Sequence, residues 1–323
     1  MDDSEPDFVP QDAKSETDQD TDTTDFVPQD AKSETDQDTD TTDFGWIKFG
    51  KKKLKKDDKM EREPVSVPGG AHVYDMTNKR RGIALIICNS YFSKMPMRKG
   101  ATKDASRIHQ TLASLGFEPH VLTNQTSDQM VFNLEKVSKQ DHGDTDCFLC
   151  VLMSHGDRDG IYGSDGKPVS VKNITSLFKG DKCRSLAGKP KLFFIQACRG
   201  RLLDSGVQVE VADGPLGFRK TKKMIASVPT TADFLISQST ADEHFAFLNK
   251  KNGSVYIQSL ADELTQCDGS VEICTVLQRV ARKVAFEFVS NTVEAEYHKK
   301  KQCPVYTSSL TKQLYLDKSQ KKP

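Results

Sequence analysis

Residues 191–200 read KLFFIQACRG: an apolar run from Leu192 to Ile195, then Gln196, Ala197, Cys198, Arg199 and Gly200. A cysteine is ordinarily a small buried residue, so a thiol placed among polar neighbours at a strand end suggests chemistry. A second apolar run, Cys147 to Met153, is followed by His155 in LMSHGD. Taken singly, the Cys reads as core and the His as a turn residue. If the two runs are parallel neighbours, thiol and imidazole meet at the carboxyl edge of the sheet, where α/β proteins place their sites. There a thiolate can attack a carbonyl carbon. The imidazole can lower the thiol pKa, hold a proton and pass it to a leaving group. Gly156 leaves its backbone N–H uncrowded, and that N–H with the one on Cys198 suits an oxyanion hole. Jointly these residues point to a cysteine hydrolase.

The pattern around them supplies the scaffold. Ile83 to Cys88 is a continuous apolar run with the length of a buried strand. Ala105, Ile108, Leu112 and Leu115 share a helical face, and Gly116 stops it. Phe117 to Leu122 reads as a strand, and Met130, Leu134 and Val137 mark a second helix. Val171 to Phe178 is a short helix. Phe234 to Ile236 reads as a strand. Two more helices follow, on Ile257, Leu260, Ala261 and Leu264, and on Ile273 through Phe288. Leu310, Leu314 and Leu316 suggest a closing strand. Strands alternating with amphipathic helices give an α/β fold, a mostly parallel central sheet with helices on both faces.

The zero net charge of the 323 residues hides an asymmetry. Residues 1–43 hold sixteen Asp and Glu against two Lys, so the other 280 residues carry +14. Residues 7–24, DFVPQDAKSETDQDTDTT, recur unchanged at 25–42. Such dense charge with few apolar residues predicts a disordered tail. KFGKKKLKK at 48–56 is read as a solvated basic linker in preference to a nucleic-acid or nuclear-entry signal. Pro64, Pro68, Gly69 and Gly70 lead to a folded part starting near Tyr74. With no apolar run of membrane-spanning length and no signal-peptide pattern, the expectation is a cytoplasmic protein whose eight cysteines are reduced thiols. Cys147 and Cys150 have CxxC spacing but should face opposite sides of a strand, so neither metal nor any other cofactor is expected. Residues 201–232 lack periodicity, and a loop that long usually has a functional reason.

QACRG with a histidine 43 residues upstream resembles the caspase signature. The resemblance extends over about residues 74–317, through RGIALIICN, RKGATKDA, LMSHGD, IYGSDG, GDKCRSL, KPKLFFIQACRG, TADF, GSVYIQSL and SLTKQLY. It is greatest to the effector caspases of animals. It implies a cysteine endopeptidase cutting after Asp, made as a zymogen and acting in apoptosis as a dimer of cleaved protomers. Its substrates would be proteins with exposed Asp-containing loops, and its partners an upstream initiator caspase and caspase inhibitors. Cys198 then resembles the nucleophile and His155 the acid/base, with Gly156 and Cys198 giving oxyanion N–H groups. Arg98 and Gln196 match the residues holding the substrate aspartate, a fit that suits a forked guanidinium.

The resemblance also implies a cut between two subunits, 74–213 and 214–323, at Asp213, with Asp204 as second candidate. Residues 1–57 would be the prodomain. DTTD ends at Asp25 and at Asp43, and tail removal there stands beside the reading that the repeat merely solvates the chain. One departure matters. Where effector caspases carry an aromatic, Ser, Trp, Arg, Asn run, this chain reads HFAFLN. Phe245, Phe247 and Asn249 keep their places, but Leu248 stands where the Arg would be. That Arg touches the terminal aspartate and the residue two before it. Its loss implies weak cutting, altered preference, or a catalytically weak or inactive homologue that regulates a better caspase by dimerising with it.

Overall fold

The apolar runs become the middle of one sheet. The computed structural model describes residues 8–10, 72–206, 229–266 and 271–316, which all belong to one compact unit. In chain order the elements begin with strand β1 (Phe8–Pro10), β2 (Ile83–Cys88) and helix α1 (Ala101–Ser114). Next come β3 (Glu118–Thr123), α2 (Ser127–Ser138) and β4 (Phe148–Met153). A small hairpin, β5 (Ile161–Tyr162) and β6 (Pro168–Val169), leads to α3 (Val171–Ser176) and β7 (Lys191–Gln196). The chain closes with β8 (Phe234–Gln238), β9 (Phe247–Asn249), β10 (Gly253–Ser254), α4 (Val255–Gln266), α5 (Ile273–Glu287) and β11 (Val305–Ser308).

The main sheet has the order β11-β8-β7-β4-β2-β3, parallel except for β11. Every residue of β2, β4 and β7 is buried, as parallel strands covered on both faces require. The period of two splits each strand between two cores. Ala84, Ile86, Val151 and Phe194 pack with α1, α4 and α5. Leu85, Phe148, Cys150 and Phe193 pack with α2 and α3. Phe148 stacks on Phe178 at 4.2 Å between ring centroids, and Phe193 meets both edge-on. These contacts tie β4 and β7, the two strands that end at the candidate site, to the layer beneath them. Cys147 and Cys150 fall in opposite cores, so their spacing is that of a strand.

Helix α2 is fixed at its start by sequence-local chemistry. Thr126 Oγ1 accepts from the Gln129 N–H at 3.3 Å, and Gln129 Oε1 accepts from the Thr126 N–H at 3.0 Å. This reciprocal cap satisfies two backbone donors. Thr126→Ala is expected to lower stability by about 1 kcal/mol, read as a lower urea midpoint at unchanged slope. An unchanged midpoint would mean that the cap contributes nothing.

One expectation needs correction. The closing strand is Val305–Ser308, not the Leu310–Leu316 stretch. Leu314 and Leu316 are buried, but they seat the start of α5: the Ile273 N–H donates to the Leu314 carbonyl at 2.9 Å. Of the tail repeat only Phe8–Pro10 are described, as strand β1 antiparallel to β9. The rest of the repeat, the basic linker, residues 207–228 and the sites Asp25, Asp43 and Asp213 lie outside the described residues.

Candidate active site

β4 and β7 end level. Met153 is paired with Gln196 in parallel register, and the Ser154 N–H donates to the Gln196 carbonyl at 3.1 Å. His155 and Cys198 each stand two residues beyond that last pair, so the topology brings imidazole and thiol to one sheet edge. Cys198 is buried. Its Sγ accepts from the Ala246 N–H at 3.3 Å and lies 3.6 Å from the Ala246 carbonyl oxygen. The His155 ring stands beside Phe92, with centroids 4.6 Å apart. His155 Nε2 is 2.8 Å from the Pro96 carbonyl oxygen. A carbonyl only accepts, so Nε2 carries the proton and the neutral ring keeps its lone pair on Nδ1. A backbone carbonyl thus fixes the tautomer, the duty a carboxylate performs in a Ser-His-Asp triad.

Gly156 packs against the backbone that carries the thiol. A Cβ there would sit 2.8 Å from the Cys198 carbonyl oxygen and 2.9 Å from the Ala197 Cβ. Only glycine lets these two backbone segments approach so closely.

The neighbouring strand end carries the cationic group. The Asn89 N–H donates to the Met153 carbonyl at 2.8 Å, setting β2 beside β4. Arg98 is buried, and its Nη1 donates to the Asn89 carbonyl at 2.9 Å. Gln196 is fully buried, and neither atom of its side-chain amide has a hydrogen-bond partner among the described residues. Buried polar groups in folded proteins are almost always paired, so this amide stands out among the buried side chains at the sheet edge.

The HFAFLN segment reaches the thiol through the Ala246 backbone. Phe245 meets Tyr297 edge-on at 5.4 Å, and Phe247 packs on Phe288 at 5.5 Å. Both rings are buried in this structure. Asn249 Oδ1 accepts from the N–H groups of Lys251 and Asn252, each at 2.8 Å, and so shapes the β9–β10 turn. Leu248 is buried and lies opposite Ser254. Asp204, the one described cleavage candidate, is exposed, and its carbonyl accepts from the Lys301 N–H at 2.8 Å. A cavity of about 220 Å³ lies beside Cys198, lined by Asp157, Gly160, Ala197 and Arg199, without Arg98 or Gln196.

Sequence reasoning missed two residues. Pro96 acts through a carbonyl, which no side-chain pattern reveals. Asp104 stands on the amphipathic α1, yet it is fully buried. It accepts from the Ser254 N–H at 2.9 Å and from Gln258 Nε2 at 2.8 Å, so it ties the β9–β10 hairpin to α1. Burial raises its pKa to about 6, against the lowering effects of Gln258, Ser254 and Arg98. The folded state therefore holds the proton more tightly than the unfolded chain. The associated stability is present below the unfolded value of 3.8 and is lost as pH rises to about 6. Between pH 7 and pH 5 the native protein is expected to gain about 1 kcal/mol relative to Asp104→Asn. Parallel pH dependences in urea melts would show that Asp104 does not titrate in this window.

Comparison with known proteins decides the family. The family model for the caspase domain matches residues 81–315. The chain belongs to the caspase family. It is 42% identical to caspase-3 of Felis catus over 247 residues, which is 75% of this chain and 86% of that protein. It is 36% identical to caspase-7 of Gallus gallus over 274 residues, 83% of this chain and 88% of that one. The crystal structure of caspase-1 from Spodoptera frugiperda superposes with a TM-score of 0.73 at 35% identity, covering 81% of this chain and 99% of that one. The caspase domain makes the chain a cysteine endopeptidase of the kind that cuts after Asp. Among the described residues no helix is long and apolar enough to cross a membrane, and no group of three His, Cys, Asp or Glu is placed to hold a metal ion.

Proposed function

We propose that this caspase is an effector-type protease, made as a zymogen and active as a cytoplasmic dimer of cleaved protomers in apoptosis. Arg98 and Gln196 hold the substrate aspartate, and the buried amide of Gln196, without a partner among the described residues, is the observation that carries the reading. An aspartate side chain supplies the acceptor that this amide needs, and its charge suits the Arg98 guanidinium. His155 Nδ1 takes the Cys198 thiol proton, the thiolate attacks the main-chain carbonyl carbon of the substrate aspartate, and the carbonyl oxygen gathers charge against the N–H groups of Gly156 and Cys198. His155 donates a proton to the leaving amine as the C–N bond breaks, which leaves a thioester. Water then attacks the thioester, His155 takes its proton, and the acid product and thiol are released. Pro96 is a positioning residue that keeps Nδ1 as the working nitrogen.

The subunit boundary is proposed at Asp213, with Asp204 as the alternative, and tail removal at Asp25 and Asp43. An initiator caspase would make the first cut, and caspase inhibitors would compete for the cleft. A second reading, a weak homologue that regulates another caspase by pairing with it, is favoured by Leu248. A peptide ketone electrophile ending in Asp separates the two. The first reading expects a single adduct on Cys198 by intact mass, none in Cys198→Ala, and slow labelling by the Asn-ended analogue. Equal labelling by the Asp and Asn probes would remove the acid pocket from the account.

A further inference from the structure

β9 has two neighbours. One is β10, the next strand in the chain; the other is β1, from the acidic repeat some 240 residues earlier. The β1 register pairs Phe8 with Asn249, Val9 with Leu248 and Pro10 with Phe247. The chain therefore runs along β9 toward Ala246, the residue whose backbone contacts the Cys198 thiol. Pro10 has no N–H, and the Phe247 N–H donates to Gln302 Oε1 at 2.8 Å. The Pro10–Phe247 pair is thus a non-hydrogen-bonded one. By the alternation of antiparallel ladders, Val9 and Leu248 exchange both main-chain bonds.

From this we infer that the tail is a built-in competitor for the cleft: residues 8–10 add a strand to the edge of β9 along which an extended peptide reaches Cys198. Main-chain pairing at a sheet edge gives such a segment affinity, and tethering supplies a high effective concentration. Charge favours the contact as well, since residues 1–43 carry −14 and the remainder +14. The residue that follows Pro10 in sequence is Gln11, not Asp. A competitor of that sequence offers no Asp directly after Pro10, so it would block without being cut there. The same tripeptide recurs as Phe26-Val27-Pro28, so the sequence offers the same pairing chemistry a second time. Cutting after Asp43 would discard both copies.

The proposal rests on the protease reading for its consequence but not for its test. Amide hydrogen exchange at Leu248 is compared in full-length Cys198→Ala and in the same chain with Val9→Pro and Val27→Pro, each of which removes an N–H. Exchange is expected to be at least about tenfold faster with both prolines, and less accelerated with Val9→Pro alone. In the chain with native Cys198, the two prolines should lower KM for an Asp-ended peptide reporter about tenfold at unchanged kcat, as release of a self-occupied site requires. Equal exchange at Leu248 in the two chains would overturn the proposal. Altered exchange with no turnover in any chain would leave the tail contact standing and count against the protease reading alone.

Discussion

Arg98→Met is expected to lower kcat/KM for an Asp-ended peptide by about a hundredfold to a thousandfold, since a hydrogen bond to a charged group contributes roughly 1.5–3 kcal/mol and its loss strands a buried carboxylate. Arg98 is held in place by its backbone surroundings. It is only 3% exposed, its Nη1 is anchored on the Asn89 carbonyl, and Asn89 leads out of the fully buried β2. Methionine fills the space without the fork of donors. Discrimination between Asp-ended and Asn-ended peptides should collapse together with the rate. Alkylation of Cys198 by a small uncharged reagent should stay unchanged, which separates a lost pocket from a lost fold. A variant that still prefers Asp by its original factor would take Arg98 out of the pocket.

Leu248→Arg is expected to act in the opposite sense. Leu248 lies in β9, one residue past Phe247, on the strand that carries the proposed peptide path. A guanidinium there restores the charge-assisted contact that the family resemblance leads one to expect. At about 1.5–3 kcal/mol, it should raise kcat/KM about tenfold to a hundredfold. The gain should be largest for peptides with an acidic residue two positions before the terminal Asp, and it should appear mainly in KM. Leu248→Met serves as the control for disturbing a buried side chain. Identical kinetics for Leu248→Arg and the native chain would refute the claimed deficit.

The sequence was most legible where local pattern and long-range packing agree. The runs that become β2, β4 and β7 are apolar without interruption because both faces of those strands are covered. Their alignment was implied by topology alone, and the pairing of Met153 with Gln196 realises it. β11 was misplaced because its residues, Val305 to Ser308, are half-buried or exposed. The leucines that follow bury themselves against α5 instead and imitate a strand. β1 was illegible for a different reason. Its partner is β9, and nothing within a charged repeat announces a pairing with a strand so far along the chain. Asp104 was hidden in a helix whose apolar face reads clearly, since a buried carboxylate has the same letter as a solvated one.

The most direct test of the account is release of a reporter from peptides ending in Asp, by purified full-length protein after cleavage of its 201–232 loop. Native protein is expected to turn over, while Cys198→Ala is silent and Asn-ended peptides are poor substrates. Silence from a folded, loop-cleaved native dimer would contradict the account and leave the regulatory reading in its place.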